Sequence, residues 1–146
     1  SDLDYRDALF EDFISQVSTA ASESAVWVDY TPTFTNFTST SAVITRARYK
    51  ATATTVVVEV MVVLGASSAM GTAPTVSVPI ASAATGGTSG VATYLDGTTG
   101  YAGAVWLDGS DSSAALVAGS GVVTALVPFT WGTGDSFRFH IEYERA

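Results

Sequence analysis

Strict alternation of apolar and polar residues is the feature that most restricts how this chain can fold. In residues 136–145 (SFRFHIEYER) every second side chain is aromatic or aliphatic, and those between are polar or charged. Residues 42–54 alternate in the same way, whereas residues 55–64 (TVVVEVMVVL) are apolar on both faces except at Glu59. Because successive side chains of a strand point to opposite faces, we expect two half-buried strands and one central strand covered on both sides.

Shorter strand-like stretches separated by turn residues fill the rest of the chain after residue 25. We expect a hairpin around DGTTG (96–100), an edge strand in 31–38 that is limited by Pro32, and loops at 65–75 and 81–90. A further pair of strands is expected at 114–119 and 122–127. About eight short strands and no second helix favour an all-β fold, an antiparallel β-sandwich of jelly-roll type.

The beginning of the chain follows a helical period instead. Apolar residues recur there at spacings of three, four and seven, which predicts one amphipathic α-helix over residues 2–21. We therefore divide the chain into an N-terminal helix, residues 1–24, and a β-sandwich domain, residues 25–146. The residues expected to make the oligomer or anchoring contact are Leu3, Phe10, Phe13, Ile14 and Val17.

This helix needs a partner, because an isolated helix of its length is marginal in water. Its apolar stripe fits a coiled coil with further copies of the chain. The same stripe fits the surface of its own β domain or a surface on another protein. The sequence leaves these three arrangements open.

Charge and composition exclude several classes of protein. The net charge is −8, and the first thirty residues hold seven acids against Arg6. Binding to phosphates needs clustered Lys and Arg residues, and Lys50 is the only lysine. We therefore expect no nucleic-acid partner and no anionic membrane partner. A hydrophobic content of 47% excludes ordinary disorder, and the lack of cysteine excludes disulfides and thiolate chemistry. We see no signal peptide and no apolar run near the ~20 residues that a membrane helix needs.

No pattern of catalytic or metal-binding residues stands out. His140 alternates with Arg138 and Glu142, so we expect it on a solvated strand face rather than beside a nucleophile. Asp108 and Asp111 lack the spacing of a calcium loop, and a turn stabilised by Asx bonds is the expected role. We predict a protein that is not an enzyme and has no catalytic residues, no cofactor and no metal.

Two sets of residues could bind a ligand, and each has a structural alternative. Arg46, Arg48 and Lys50 share one strand face and suit an anionic glycan, but pairing with Glu59 or another acid across the sheet is the favoured interpretation. Exposed tryptophans suit sugar stacking, but core packing is the favoured interpretation for each. The tryptophans concerned are Trp27, Trp106 and Trp131, of which Trp106 and Trp131 are our candidate glycan contacts.

The β domain resembles a known family in several loose motifs. A run of the form W-x-x-Y-x-P-x-F-x-x-F begins at residue 27 and is followed by RARYK at 46–50. A Val-rich strand, a Gly/Ser loop, PFTWGTGD at 128–135 and a final aromatic strand complete the pattern. Over about residues 26–145 this resembles the small β-sandwich domains of actinobacteriophage virion proteins, usually described as minor tail proteins.

The resemblance implies a homotrimer on the virion surface without catalytic function. Two roles are compatible with it: a minor tail protein that assists adsorption to the host, and a capsid decoration protein that coats the head. We favour the tail role slightly. The partners then expected are further copies of the chain, other virion proteins and a host cell-surface glycan, and a free-standing carbohydrate-binding module is the competing hypothesis.

Overall fold

The computed structural model describes residues 8–11, 26–85, 87–119 and 121–146. Residues 8–11 are helical, and the remainder consists of strands and turns, so the all-β class is confirmed. None of the helices in these ranges is long and apolar enough to cross a membrane. The strands are β1 Val28–Asp29, β2 Phe34–Thr38, β3 Val43–Ala51, β4 Thr55–Val63, β5 Ala69–Ser77, β6 Thr88–Asp96, β7 Thr99–Leu107, β8 Ser113–Ala118, β9 Gly121–Val122 and β10 Ser136–Glu144.

All ten strands belong to one antiparallel sheet. Its order is β1-β3-β4-β10-β6-β7-β8-β5-β2, and β9 pairs with β8. The first and last strands of this order lie next to each other in the chain, separated by residues 30–33 alone. The sheet therefore curls until one stretch of chain borders both of its edges, and the predicted division into two facing sheets is not confirmed.

Hydrogen bonds on both sides of this stretch hold the curled sheet together. The Tyr30 amide donates to Ala47 O at 3.0 Å, and the Ser77 amide donates to Thr33 O at 2.8 Å. The Tyr30 hydroxyl also donates to Ser77 O at 3.0 Å. Pro32 lies between these bonds, where its missing N–H costs no ladder bond, which fits the predicted edge strand.

The interior is filled by the alternating residues of the longest strands. The inward positions of β4 are four valines, and those of β10 are aromatic or aliphatic, with Phe139 opposite Val60 in the register. Side chains of this kind each contribute about 1.5–3 kcal/mol when fully buried. The half-buried strand predicted for residues 136–145 is confirmed, because every odd-numbered side chain of β10 points inward.

On the side of β6, β7 and β8, a buried tyrosine fills the interior. Tyr94 is fully buried, and its hydroxyl donates to Val117 O at 2.9 Å, with Ala104 O at 3.2 Å as a second acceptor. Its ring lies directly under Gly103, where an added Cβ would overlap the ring and approach Val117 O to 2.6 Å. The glycine is thus required for the close approach of Tyr94 to the β7–β8 pair.

The predicted loop at 65–75 is wrong in its second half. Most of that stretch belongs to β5, which pairs with β2 through a register shift between Thr35 and Phe37. Asn36 and Ala73 both have positive φ, at 56° and 53°, on the two sides of this bulge. Turn-forming residues therefore mark an irregularity within paired strands and not a loop between them.

Two other predicted strand boundaries differ from the structure, and the predicted hairpin is confirmed. Residues 88–90, predicted as loop, begin β6. The strand predicted at 122–127 is reduced to β9, followed by an isolated bridge between Thr124 and Val127. The hairpin around DGTTG is confirmed, with Gly97 at φ 60° in its turn.

Candidate functional site

Four neighbouring strands bring eight side chains together on the outer face of the sheet. Their registers form two rows of four, one residue each from β3, β4, β10 and β6. We call these eight residues the outer grid. The first row is Arg46, Met61, Arg138 and Thr93, and the second row is Arg48, Glu59, His140 and Val91.

The alternation of each strand explains the composition of the outer grid. The even-numbered valines of β4 and the odd-numbered aromatic and aliphatic residues of β10 point inward, which leaves Glu59, Arg138 and His140 on the outer face. In β3 a bulge between Ile44 and Arg46 shifts the register by one residue. Arg46 thereby lies opposite Met61, and the two arginines of β3 face the same side as Glu59.

Glu59 is the electrostatic centre of the outer grid. Its Oε2 accepts hydrogen bonds from Arg48 Nε at 3.0 Å and Nη2 at 2.9 Å, and from Arg46 Nη1 at 3.3 Å. The predicted pairing of these basic residues with an acid across the sheet is therefore confirmed. One carboxylate serves two guanidinium groups, and Arg138 forms no ion pair with any residue of the described ranges. The outer grid thus carries an excess of positive charge.

Trp27 stacks on two basic side chains of β3. Arg48 Cζ lies 4.2 Å and Lys50 Nζ 4.5 Å from the centroid of the Trp27 ring. Such contacts are worth about 0.5–1 kcal/mol at exposed sites. They fix the chain at residue 27 beside the outer grid.

A shallow depression of about 230 Å³ lies over the outer grid. Arg46, Arg138 and His140 border it, and Met61 and Val91 give it an apolar floor. Val91 is 69% exposed there. Guanidinium groups around an apolar floor suit a ligand that combines carboxylates with apolar groups.

His140 lies on the solvated face of β10, as predicted from its alternation with charged residues. It is opposite Glu59 on one side and Val91 on the other. No described group of three His, Cys, Asp or Glu side chains has the proximity to hold a metal ion.

Trp106 gives the body a second exposed surface. The indole is 54% exposed on the outer face of β7, where the neighbouring outward residues are small. On one side it borders an apolar depression of about 470 Å³ that includes Ala104 and Val117. On its other side lie Thr88, Ser89 and Asp108. The ring therefore separates an apolar strip from a polar strip.

Trp131 packs against other aromatic rings of the body. Its ring lies 4.4 Å from Phe129 and 5.9 Å from Tyr94 between centroids. Its indole N–H donates to Val127 O at 3.2 Å. The indole that remains exposed for stacking is that of Trp106.

The loop acids are structural. Asp111 Oδ1 accepts from the Ser112 amide at 2.7 Å and the Ser113 amide at 3.1 Å, which confirms the predicted Asx turn. Asp135 was not singled out from the sequence, yet it is buried. Its carboxylate accepts from the Gly97 amide at 2.9 Å and the Gly132 amide at 2.7 Å, tying the β6–β7 turn to the loop before β10. The signal was the TGD triplet directly before the last strand.

Of the predicted contact residues in the N-terminal helix, one lies in the described ranges. Phe10 is 65% exposed, and its neighbour Leu9 is 53% exposed. The other predicted contact residues lie outside the described residues, and they are Leu3, Phe13, Ile14 and Val17.

The residues that carry the resemblance to virion proteins hold the body together. The ring centroids of Phe34 and Phe37 are 5.2 Å apart, and Phe37 continues the contact to Phe137 at 5.5 Å. Tyr30 and Trp131 make the closing contacts described above. These positions bear on the fold of the body rather than on a ligand. Comparisons with family models, with curated proteins and with solved structures find no match.

Proposed function

We propose that this chain is a non-enzymatic bacteriophage virion protein, a homotrimeric minor tail protein displayed on the virion surface that assists adsorption to the host. The N-terminal segment attaches or trimerises it, and the curled β body projects outward. The loops of the body that precede β6 and β8 are then the parts nearest a host surface.

The exposure of Phe10 is the observation that carries this proposal. The β body already buries a continuous core that runs from Phe37 on one edge strand to Phe137 on β10. It has no need of the apolar stripe of the N-terminal segment. An exposed phenylalanine and leucine in a helical segment favour burial against another chain, since about 1.5–3 kcal/mol per side chain is gained there.

The phage setting of the proposal comes from the resemblance of residues 26–145. The composition is compatible with an external assembly component, because the chain lacks cysteine and has a single lysine among many Ser, Thr, Ala and Gly residues. A self-complementary apolar stripe is the simplest device for a closed symmetric oligomer.

Imaging of purified phage particles with a label on this chain tests the location. A few trimers per particle at the tail support the proposal. Hundreds of copies on the head support the alternative of a capsid decoration protein. Absence of the chain from purified particles contradicts both.

Trp106 favours a second candidate function, that of a carbohydrate-binding module. An exposed indole next to Ser89, Thr88 and Asp108 combines a stacking surface with hydrogen-bonding groups. A glycan array that includes host cell-wall polysaccharides tests it, with Trp106→Ala as the variant and Val91→Ala as the exposed non-aromatic control. Binding lost only in Trp106→Ala supports the module, and a flat response of the wild-type chain contradicts it.

A further inference from the structure

The outer grid and Trp106 belong to one continuous face of the sheet. On β6, the outward Val91 is part of the outer grid, and Ser89, two residues earlier on the same face, pairs with Trp106 of β7. With strands about 4.8 Å apart and a rise of about 3.4 Å per residue, the Cα atoms of His140 and Trp106 lie about 12 Å from each other. This is the length of a few linked sugar rings, so one short glycan can reach both places.

The arginine end of this face has donors to spare. Arg46 and Arg138 lie on either side of Met61 in the first row, and both border the depression of about 230 Å³. Glu59 binds Arg48 through two nitrogens but Arg46 through Nη1 alone, at 3.3 Å. Arg138 forms no ion pair within the described ranges. Because a guanidinium fork matches a carboxylate, the gap between these two arginines suits one carboxylate.

The tryptophan end of the face has a different chemistry. The indole of Trp106 is 54% exposed, and the hydroxyl-bearing Thr88 and Ser89 lie beside it together with Asp108. An exposed indole stacks on the apolar face of a sugar ring, and the hydroxyls and the carboxylate bind sugar hydroxyls. Asp108 repels a second anionic group at this end. The face therefore favours an acidic sugar at the arginines and a neutral sugar at Trp106.

We propose that this face binds an acidic oligosaccharide: a uronic acid places its carboxylate between Arg46 and Arg138, and a neutral sugar of the same chain stacks on Trp106. The inference rests on the proposed function for the host surface as the source of the glycan. The binding itself is a property of the β body.

The shape of the depression favours a uronic acid over a polyol phosphate. In a uronic acid the carboxylate is attached directly to the sugar ring, so one ring can reach an arginine with its charge and Met61 with its apolar face. A polyol phosphate carries its charge between flexible linear units. It offers no ring to the apolar floor or to Trp106.

Titration of the full-length chain with matched oligosaccharides tests the proposal. The probes are tetrasaccharides of hyaluronan, alginate and polygalacturonate, each with its carboxyl-reduced form, and amide NMR follows the binding. We expect at least one acidic probe to shift the Trp106 indole N–H and the amides of Arg138 and Thr93, but not that of Thr75 on β5. Its reduced form should bind about tenfold more weakly. Equal binding of acidic and reduced forms, or no binding by any of the three acidic probes, overturns the proposal.

Variants separate the two ends of the face. Arg46→Gln/Arg138→Gln should weaken binding of the acidic probe about tenfold or more, and Trp106→Ala about tenfold. The control Thr72→Glu/Thr99→Glu lowers the net charge by the same two units at exposed positions away from the outer grid and should preserve binding. Urea denaturation verifies that every variant is folded. An arginine variant that binds like wild type, or a control that loses as much, overturns the proposal.

Two further comparisons complete the test. A glycerol phosphate tetramer that binds as tightly as the best acidic probe overturns the choice of a uronic acid. The imaging of labelled particles described above stays independent of these titrations. A chain found at the tail that binds no acidic probe refutes this inference alone, and a chain that binds the probes but is absent from particles refutes the proposed function alone.

Discussion

The two sides of the β body are built on different principles. On the side of β3, β4 and β10, inward aliphatic and aromatic residues alternate with outward charged ones. On the side of β7 and β8, the outward residues are mostly small, and Tyr94 reaches through the interior to the backbone of both strands. Both sides bury apolar side chains, but the second also depends on how closely its backbone and one ring approach each other.

This difference separates the residues that tolerate exchange from those that do not. An inward position on the first side accepts another apolar side chain of similar volume. Gly103 on the second side accepts no side chain at all, because Tyr94 and Val117 O occupy the space. The outward positions show the same division, with the charged outer grid on one side and the exposed Trp106 on the other.

The largest effect should come from the first side. Phe137→Ala removes a buried ring that contacts Phe37 and Trp131, and we expect a loss of about 3–5 kcal/mol in the free energy of unfolding. Urea denaturation of the full-length chain measures it. Its neighbour Arg138 is exposed, so Arg138→Ala should change the same quantity by less than about 0.5 kcal/mol. Similar losses in both variants would contradict the division between inner and outer faces of β10.

Gly103→Ala is the corresponding test of the second side. The new methyl group overlaps the Tyr94 ring, and we expect a loss of about 1–3 kcal/mol. Gly100→Ala, three residues earlier in the same strand, is the matched control. Its Cβ would lie 3.6 Å from Leu95 Cδ2, an ordinary contact, and its effect should be close to zero or stabilising. If both glycines tolerate alanine equally, close approach does not govern this side.

Tyr94→Phe sharpens the second test, because it keeps the ring and removes the hydroxyl. Val117 O and Ala104 O lose their buried donor, and we expect a loss of about 1–2 kcal/mol in unfolding free energy. Tyr49→Phe is the control, since it removes a hydroxyl from a half-buried tyrosine on the first side. A smaller loss for Tyr94→Phe than for Tyr49→Phe would remove the special role of this bond.

The loss of stability at alkaline pH tests the burial of one tyrosine on each side. Burial raises the pKa of Tyr143 to about 12 and the pKa of Tyr94 well above its ordinary value. A raised pKa means that the fold favours the neutral phenol. Its contribution to stability is complete below pH 10, the ordinary value, and is lost as the pH rises toward 12. Denaturation midpoints that stay constant over that interval would contradict the burial of these groups.

The smallest effects are expected on the outer grid. Arg48→Ala and Arg46→Ala should each cost less than about 1 kcal/mol, because their ion pairs with Glu59 are partly exposed. Arg48 should cost more, since two of its nitrogens bind Glu59 and it also stacks on Trp27. Denaturation at low and high salt checks this, and both effects should shrink as salt is added. Costs that stay unchanged between low and high salt would point to packing and not to charge.

The sequence predicts the first side of the body better than the second. Alternation is visible along residues 136–145 and along β4, so their inward faces and the pairing of Glu59 with basic residues follow from it. Gly71 and Pro74 in β5 have the composition of a loop, and only pairing with β2 across a bulge makes them part of a strand. Local propensity cannot report on a partner strand more than thirty residues away.

The candidate sites show the same limit. The face shared by Arg46 and Arg48 could be predicted, whereas Arg138 and His140 join them only through the register of β10 between β4 and β6. Trp106 and Trp131 were equal candidates for a glycan contact. Strand position distinguishes them, because Trp106 alternates with the buried Val105 and Leu107, whereas Trp131 lies in a loop that packs on Phe129.

The central claim is that the N-terminal segment joins copies of this chain while the β body stays complete in itself. Sedimentation equilibrium of the full-length chain tests it most directly. The account predicts a species of about three times the 15.0 kDa chain mass. It also predicts that Phe10→Asp, at an exposed position of the segment, converts this species to folded monomers. A wild-type chain that sediments at 15.0 kDa at every concentration would contradict the claim.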